Sequence, residues 1–217
     1  MSTGFRKVAD LPQAIPVFPL DGALLLPGGQ LPLNIFEPRY LNMIDDAMAA
    51  DRLIGMVQTR GDDRERPALA PVGCVGRITS FAETPDGRYM ITLTGLCRFN
   101  LGDELPVRTP YRQVRARFEA FERDLGASAP PPVLDRPRFL RALARYLDHR
   151  GLGVDWETAE TAPAEALVNS LAMGLPFDPI EKQALLEAAT LDARADALVA
   201  LLEIDAIGGD DDAGPLQ

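Results

Sequence analysis

Side chains that could act as nucleophiles, general bases or metal ligands are few and widely spaced in this sequence. The single histidine, His149, has no cysteine near it, so the Cys/His spacing of a zinc site is absent. Neither lysine, Lys7 or Lys182, follows a glycine, which excludes a glycine-rich phosphate-binding loop ending in Gly-Lys. None of the four serines lies in a G-x-S-x-G turn: Ser2, Ser80, Ser128 and Ser170.

Catalysis needs a reacting group, its activator and a charge stabiliser close together, and no such set is visible. The 32 acidic residues leave a chance carboxylate pair open, but nothing in the pattern favours one. We therefore expect no enzymatic activity, no bound metal and no cofactor.

A stripe of basic side chains on a predicted helix is the next candidate for a functional site. Four side chains recur at helical spacing opposite an apolar stripe: Arg138, Arg141, Arg145 and His149. Such a stripe can bind an anion, but a solvated helix face with cations near its carboxyl end has the same pattern. We favour the solvated face.

The elements that would position these residues begin with β structure and one helix. Apolar runs bounded by proline and glycine predict strands at 15–20 and 31–36, and a third strand follows at 52–59. Pro38 can open a helix, and the apolar spacing after it predicts a helix over 38–50. A segment of alternating polar and apolar residues at 111–121 predicts the closing strand.

Two long strands joined at Pro85-Asp86-Gly87 should carry both cysteines. Asp-Gly is a strong hairpin signal because both positions tolerate positive φ. The register that we assign to this turn places Cys74 opposite Phe99 and diagonal to Cys97, on one buried face of the sheet. Arg98 then lies on the opposite, polar face. A redox pair is conceivable, but two small buried apolar residues are favoured, because free cysteine is commonly buried.

The sequence pattern of the second half of the chain predicts helices. A proline-rich connector, "LGASAPPPVLD", separates it from the β half, and leucines at helical spacing follow. We predict an α+β fold with three parts: a β-rich subdomain over 10–124, a helical subdomain over 133–206, and an acidic tail over 207–217 that we expect to be disordered.

The formal net charge of −10 is concentrated in the helical half. Residues 1–124 carry a net charge of −1 and residues 125–217 a net charge of −9. This asymmetry argues against non-specific nucleic-acid binding, which depends on cationic side chains. The sequence has neither an apolar run of about 20 residues nor a signal-peptide core, so we expect a cytoplasmic protein with no membrane contact and reduced cysteines.

Several segments together carry a family resemblance. They are, in order, "IPVFPL", "LLLPGGQLPLNIFEPRYLNMIDDAM", "RLIGMVQT", "GCVGRI", "DGRYMITLTGLCRF" and "LVNSLAMGLPFDPIEKQALLEA". Over roughly residues 10–205 the chain resembles the N-terminal substrate-binding domain of Lon proteases. The resemblance implies a PUA-like β half-barrel with one helix, followed by a helical bundle.

The resemblance also implies a function. Lon continues into ATPase and protease modules, whereas this sequence ends before them, so what it implies is polypeptide recognition without hydrolysis. We expect a free-standing, non-catalytic module, an adaptor in protein quality control. Its implied partners are unfolded or degron-bearing polypeptides together with Lon or another protease; nucleic acid is not expected.

Two short motifs are candidate site residues under this resemblance. The apolar loop formed by Leu24, Leu25, Leu26 and Pro27 offers a contact surface for unfolded chains, although the same leucines could instead cap one end of the barrel. The second motif matches the Glu-x-Arg-Tyr signature of the family: Glu37, Pro38, Arg39 and Tyr40. We expect this motif to fix the start of the helix rather than to touch a ligand.

Two other functions stay open at this point. PUA-like domains can read RNA, which would require a basic patch on the β half, formed here by Arg112, Arg115 and Arg117. Against it, Arg115 and Arg117 alternate with apolar residues, as solvent-facing positions on a strand do. A small-molecule enzyme with its site between the two halves is the third hypothesis.

Overall fold

The computed structural model describes residues 4–61, 63, 66–126 and 134–208 and confirms an α+β fold. The strands are β1 Ala14–Pro19, β2 Gln30–Ile35, β3 Leu53–Val57, β4 Thr59–Arg60, β5 Ala68–Leu69, β6 Val72–Glu83, β7 Tyr89–Glu104 and β8 Gln113–Arg117. The helices are α1 Pro38–Ala49, α2 Arg136–Arg150, α3 Trp156–Thr161, α4 Ala164–Gly174, α5 Pro179–Glu187 and α6 Leu191–Gly208. Short 3-10 helices lie at Val8–Asp10 and Glu119–Leu125.

The main sheet curls back on itself. Its strand order is β2-β7-β6-β3-β1-β8, and β8 also pairs with the far end of β7. The sixteen-residue β7 therefore belongs to two parts of the sheet. Its first half pairs with β2 and β6, whereas its second half pairs with β6 and β8 and completes a barrel.

The predicted closing strand is shorter than expected. Strand β8 ends at Arg117, and the chain continues as the 3-10 helix Glu119–Leu125. Phe118 and Phe121 are three residues apart, which suits the period of a 3-10 helix better than that of a strand. Phe118 is buried, and both rings pack against the barrel core.

The β6–β7 hairpin corrects the predicted register. Three residues, not two, separate the paired Thr84 and Arg88, and Gly87 adopts φ 78 as the last of them. The extra residue shifts the pairing by one, so Cys74 lies opposite Arg98 and Cys97 lies opposite Val75. Because a shift of one residue exchanges the two faces of a strand, the cysteines belong to different core clusters rather than to one face.

A β-bulge in β7 reverses the alternation of its side chains, so that its odd-numbered residues face different core clusters before and after the bulge. Gly76 pairs with Gly95 and Val75 with Cys97, so Leu96 is an extra residue on β7. Residues of β7 before the bulge face the cluster that includes the helices, and those after it face the barrel interior. Arg98, predicted on a polar face, is consequently buried against the helical half.

The helical half packs on the outside of the barrel. One core cluster fills the barrel, and the other joins α1, the outer side of the sheet and the five later helices. Glu181 stabilises the start of α5, because its carboxylate accepts the N–H of Asp178 at 2.8 Å. None of the described helices is long and apolar enough to cross a membrane.

The predicted domain division remains a proposal. The connector falls largely on residues 127–133, and the acidic tail beyond residue 208 also lies outside the described residues. Helix α6 extends to Gly208, and its Glu203 and Asp205 form ion pairs with Arg138 and Arg150 of α2.

Candidate functional site

The leucine loop lies between the two halves of the molecule. Leu24, Leu25 and Leu26 are at most 2% exposed, and Pro27 is half-buried. The predicted contact surface required exposed side chains, so the structure corrects this prediction. The leucines instead occupy the space between the outer side of the sheet and the helical half.

Close packing explains why the loop cannot turn its leucines outward. The carbonyl oxygen of Leu26 approaches Gly95 so closely that a Cβ at that glycine would lie 2.1 Å away. From the helical side, the Asn169 amide donates to the carbonyl of Pro27 at 3.3 Å. The loop is thus bonded on one side to the sheet and on the other to α4.

Buried cations reinforce the same junction. The Lys182 ammonium on α5 donates to the carbonyls of Gly22, at 2.8 Å, and Met173, at 3.2 Å, and its burial lowers its pKa. Arg194 on α6 donates to the Leu185 carbonyl and to the Asn169 side chain. Burial lowers the pKa of Arg194 to about 10, and the nearby Arg98 guanidinium adds to the effect.

Arg98 completes the connection between the halves. Its guanidinium forms a two-pronged ion pair with Asp124, with both nitrogen–oxygen distances 2.9 Å. The same group donates to the carbonyls of Leu186 and Ala188 at the carboxyl end of α5, where helix carbonyls lack partners. One side chain therefore joins the barrel, the 3-10 helix and α5.

The Glu-x-Arg-Tyr motif lies at the start of α1. Glu37 precedes the helix and accepts the N–H of Tyr40 on its carbonyl, and Pro38 is the first helical residue. The Arg39 guanidinium pairs with the Glu37 carboxylate at 2.8 Å and covers the Tyr40 ring at 4.6 Å. The Tyr40 ring contacts that of Phe18, with centroids 4.2 Å apart, and so attaches the helix to β1.

A cleft opens where the barrel meets α5. It has a volume of about 620 Å³, within the range of ligand sites. Its apolar wall consists of exposed side chains: Pro71, Pro179, Ile180 and Ala184. Ile180 is 84% exposed, the largest exposed fraction among the bulky hydrophobic side chains that the structure describes.

Two glutamines form the floor of the cleft and hold its walls together. Gln58, only 3% exposed, donates to the Pro179 carbonyl at 2.9 Å and to the Gln183 side-chain oxygen at 3.2 Å. Gln183 in turn donates to the carbonyl of Val72 at 3.1 Å. Because these bonds run between the end of β3 and α5, they fix the position of Ile180 relative to the barrel.

The residues around the cleft suit apolar groups better than a charged ligand. Its two charged members, Arg60 and Glu187, have opposite signs and lie at its rim. The floor consists of neutral amides whose hydrogen bonds are already made. Within the described part of the chain, no group of histidine, cysteine and acidic side chains could hold a metal ion.

The other side chains that the sequence singled out, the arginines of the β half and the cysteines, do not form a common site. Arg112 is bound by Glu104 and by the carbonyl of Pro67, whereas Arg115 and Arg117 point to solvent as their alternation predicted. The three arginines therefore present no common patch. Burial raises the pKa of the Cys97 thiol to about 12, which makes the reactive thiolate unfavourable.

Sequence reasoning considered a cleft between the two halves only as the site of a small-molecule enzyme, and it missed the residues that form this cleft. Gln58 occupies the end of an apolar strand and Ile180 follows a helix-opening proline, and neither position looks unusual by residue type. The only available signal was the apolar residue at the exposed first turn of α5. The cleft itself exists because two segments more than a hundred residues apart meet.

Comparison with known proteins supplies independent information. A family model described as the ATP-dependent protease La (LON) substrate-binding domain matches residues 14–203. Lon protease 2 of Myxococcus xanthus is 32% identical over 208 residues, which cover 92% of this chain and 24% of that protease. Lon protease of Anaeromyxobacter dehalogenans is 30% identical over 202 residues, covering 89% of this chain and 23% of that protease.

Solved structures show the same fold. The Lon N-terminal domain protein from Xanthomonas campestris matches with a TM-score of 0.62 at 22% identity, over 86% of this chain and 97% of its own. The N-terminal domain of the Mycobacterium avium complex Lon protease matches with a TM-score of 0.61 at 17% identity, over 88% of this chain and 98% of its own. The chain spans about a quarter of the length of the curated relatives named above.

Proposed function

Since the chain belongs to the family of ATP-dependent protease La (LON) substrate-binding domains, we propose that it is a polypeptide-binding module. The polypeptides that it binds are unfolded or carry an exposed degron, because such chains present the apolar side chains that a folded protein buries. We further propose that the module is non-catalytic and acts as an adaptor that presents these chains to Lon or another protease.

The observation that carries this proposal is the cleft beside α5. Ile180 exposes most of its apolar surface to water, which is unfavourable unless a partner covers it. The rim carries one charge of each sign, so the binding should depend on apolar contact rather than on net charge. Burying an isoleucine side chain is worth about 1.5–3 kcal/mol, enough to contribute a tenfold or greater gain in affinity.

Fluorescence anisotropy tests the proposal directly. The probe is a fluorescein-labelled polypeptide kept unfolded by reduction and carboxamidomethylation of its cysteines, with a labelled single-stranded RNA titrated in parallel. We expect saturable binding of the polypeptide that changes little between low and high salt, and no binding of the RNA. RNA binding that falls steeply with salt would overturn the proposal in favour of the arginine-bearing strand.

A matched pair of isoleucine variants locates the site. Ile180→Asp should weaken polypeptide binding about tenfold, because it replaces the apolar contact by a charge. Ile204→Asp is the control, since Ile204 is also exposed, at 66%, but lies on α6 outside the cleft. Equal affinities of the two variants would show that the cleft is not the binding surface.

A further inference from the structure

Part of the β6–β7 hairpin extends beyond the barrel as a three-stranded sheet. Strand β3 pairs with β6 only from Cys74 to Arg77, so beyond Ile78 the outer edge of β6 loses this neighbour. Residues 80–83 pair with β7 on one side, Thr79 being the extra residue of a β-bulge, and no other described strand pairs with residues 79–83 on the other side. All five side chains from Thr79 to Glu83 are exposed.

The hydrogen-bond pattern shows which backbone groups this edge presents. Thr84 donates its N–H to the carbonyl of Arg88 at 2.9 Å, which makes these two a hydrogen-bonded pair. Bonded and non-bonded positions alternate along an antiparallel pair, so Ala82 also bonds to β7. The N–H and C=O groups of Phe81 and Glu83 therefore point away from β7, toward the open edge.

The opposite edge of the same sheet is protected. Gly95 donates to the carbonyl of Gly29 at 2.9 Å, and by the same alternation the backbone groups at Pro32 point away from β7. Proline has no N–H, and it is a common residue on strand edges that must not pair with other chains. Residues 79–83 contain neither proline nor lysine, so only the β6 edge is open to a further strand.

The surroundings of the open edge indicate the chemistry of its occupant. On the solvent face of this sheet, eight exposed positions carry no ionisable side chain: Gln30, Pro32, Asn34, Phe36, Thr79, Ser80, Ala82 and Met90. The exception is Arg88, directly before β7, whose guanidinium lies over the Phe36 ring at 5.9 Å and is paired with Asp86 at 2.9 Å. On the edge itself Phe81 is 40% exposed and stacks edge-on against Tyr89, with centroids 5.0 Å apart. The one charge there, Glu83, is negative and would attract a cationic residue.

We propose that an extended segment of a bound polypeptide pairs with residues 81–83 as an added β-strand. Main-chain pairing makes no demand on sequence, which suits a module that must bind many different chains. The preferred segment has neutral or apolar residues at alternate positions and no acidic residue, and a second copy of this chain, with its net charge of −10, is disfavoured. This inference rests on the proposed polypeptide-binding function and adds a second contact, separate from the cleft.

A pair of synthetic peptides tests the added strand. The probe is a ten-residue peptide, Lys-Val-Thr-Val-Thr-Val-Thr-Val-Thr-Lys, and its control has the same side chains with an N-methyl group on every internal residue, so that neither of its two edges can donate main-chain hydrogen bonds. We expect the unmodified peptide to bind at least about tenfold more tightly. Equal affinities for the two peptides, with the unfolded polypeptide still bound, would overturn the added strand and leave the polypeptide-binding function standing.

Protein variants and amide exchange provide the second readout. Glu83→Pro removes the outward N–H and should abolish the preference for the unmodified peptide, whereas Glu83→Ala, which keeps that N–H, should retain it. In the unaltered protein, the peptide should slow amide hydrogen exchange at Phe81 and Glu83 but leave Ala82, already bonded to β7, nearly unchanged. Unchanged exchange at all three positions in the saturated complex would contradict the proposal, and failure to bind any polypeptide would overturn both proposals together.

Discussion

Arg98 joins the two halves through a buried ion pair with Asp124 and hydrogen bonds to the end of α5. It is 5% exposed, and its ion pair with Asp124 is nearly as well buried. Breaking a buried pair from one side leaves an uncompensated charge in a poorly solvated place, which is more destabilising than losing a surface pair.

Replacement of Arg98 should therefore destabilise the whole protein. We expect Arg98→Met to lower the free energy of unfolding by about 3–5 kcal/mol, because Asp124 loses its partner and the last carbonyls of α5 lose a donor. Urea denaturation measures the change. Arg115→Met is the matched control, since Arg115 is exposed on the next strand, and the expectation fails if both variants unfold at the same urea concentration.

Cys97 should make the protein less stable at alkaline pH. Burial, together with the Asp124 carboxylate, raises the pKa of this thiol from its ordinary 9.0 to about 12. The unfolded chain then loses the proton first, so the contribution of the thiol is complete below pH 9 and is lost as pH rises toward 12. Urea denaturation between pH 8 and pH 11 should show a smaller decline for Cys97→Ala than for the unaltered protein; parallel declines would contradict this assignment.

At the scale of elements, the segment between β1 and β2 acts as a spacer between the sheet and the helices. Its leucines fill the space that would otherwise separate the two halves, and its backbone bonds to both. A loop of this composition contributes to the shape of the cleft indirectly, because it helps to determine how closely α5 approaches the barrel.

Truncation of a buried leucine distinguishes this role from ligand contact. Leu26→Ala should lower the free energy of unfolding by about 2–5 kcal/mol, as expected for a cavity in a closely packed site. Leu152→Ala, at a residue that is 43% exposed, should change it by about 0.5 kcal/mol or less. Were Leu26 instead a contact for polypeptides, the variant would lose affinity while its unfolding free energy stayed unchanged.

At the scale of the whole molecule, the two halves should unfold as one cooperative unit. The buried leucines, Arg98 and the glutamines of the cleft floor all bridge the halves, so neither half can open without exposing apolar surface and unpaired polar groups. The unfolding of each half can be followed separately through residues that occur in only one of them. Its only tryptophan, Trp156, lies in the helical half, and both cysteines lie buried in the β half.

A urea titration followed by both reporters tests this cooperativity. Trp156 fluorescence and the accessibility of Cys74 and Cys97 to a thiol reagent should change at the same urea concentration. A fluorescence transition that clearly precedes thiol exposure would show that the helical half unfolds alone. In that case the proposed division near residues 125–135 would mark two independent domains instead of two parts of one unit.

The sequence by itself determined most of the larger elements, the α+β class and the family. Strands β1 and β2 and helix α1 begin and end within about one residue of the predicted positions, because proline, glycine and apolar spacing act locally. The resemblance to the Lon substrate-binding domain, which depends on the order of short motifs, is confirmed by the family model. Local chemistry was sufficient for these conclusions.

Only the tertiary structure decided which side of each element is buried and where a ligand could bind. The three-residue turn and the bulge at Leu96 changed the faces occupied by Cys97 and Arg98, since one extra residue reverses the alternation of a strand. The burial of Leu24–Leu26 depends on helices that lie more than a hundred residues away in the chain. The cleft beside Ile180 and the open edge of β6 likewise arise from how distant segments meet or fail to meet, because surface is buried only when a partner covers it.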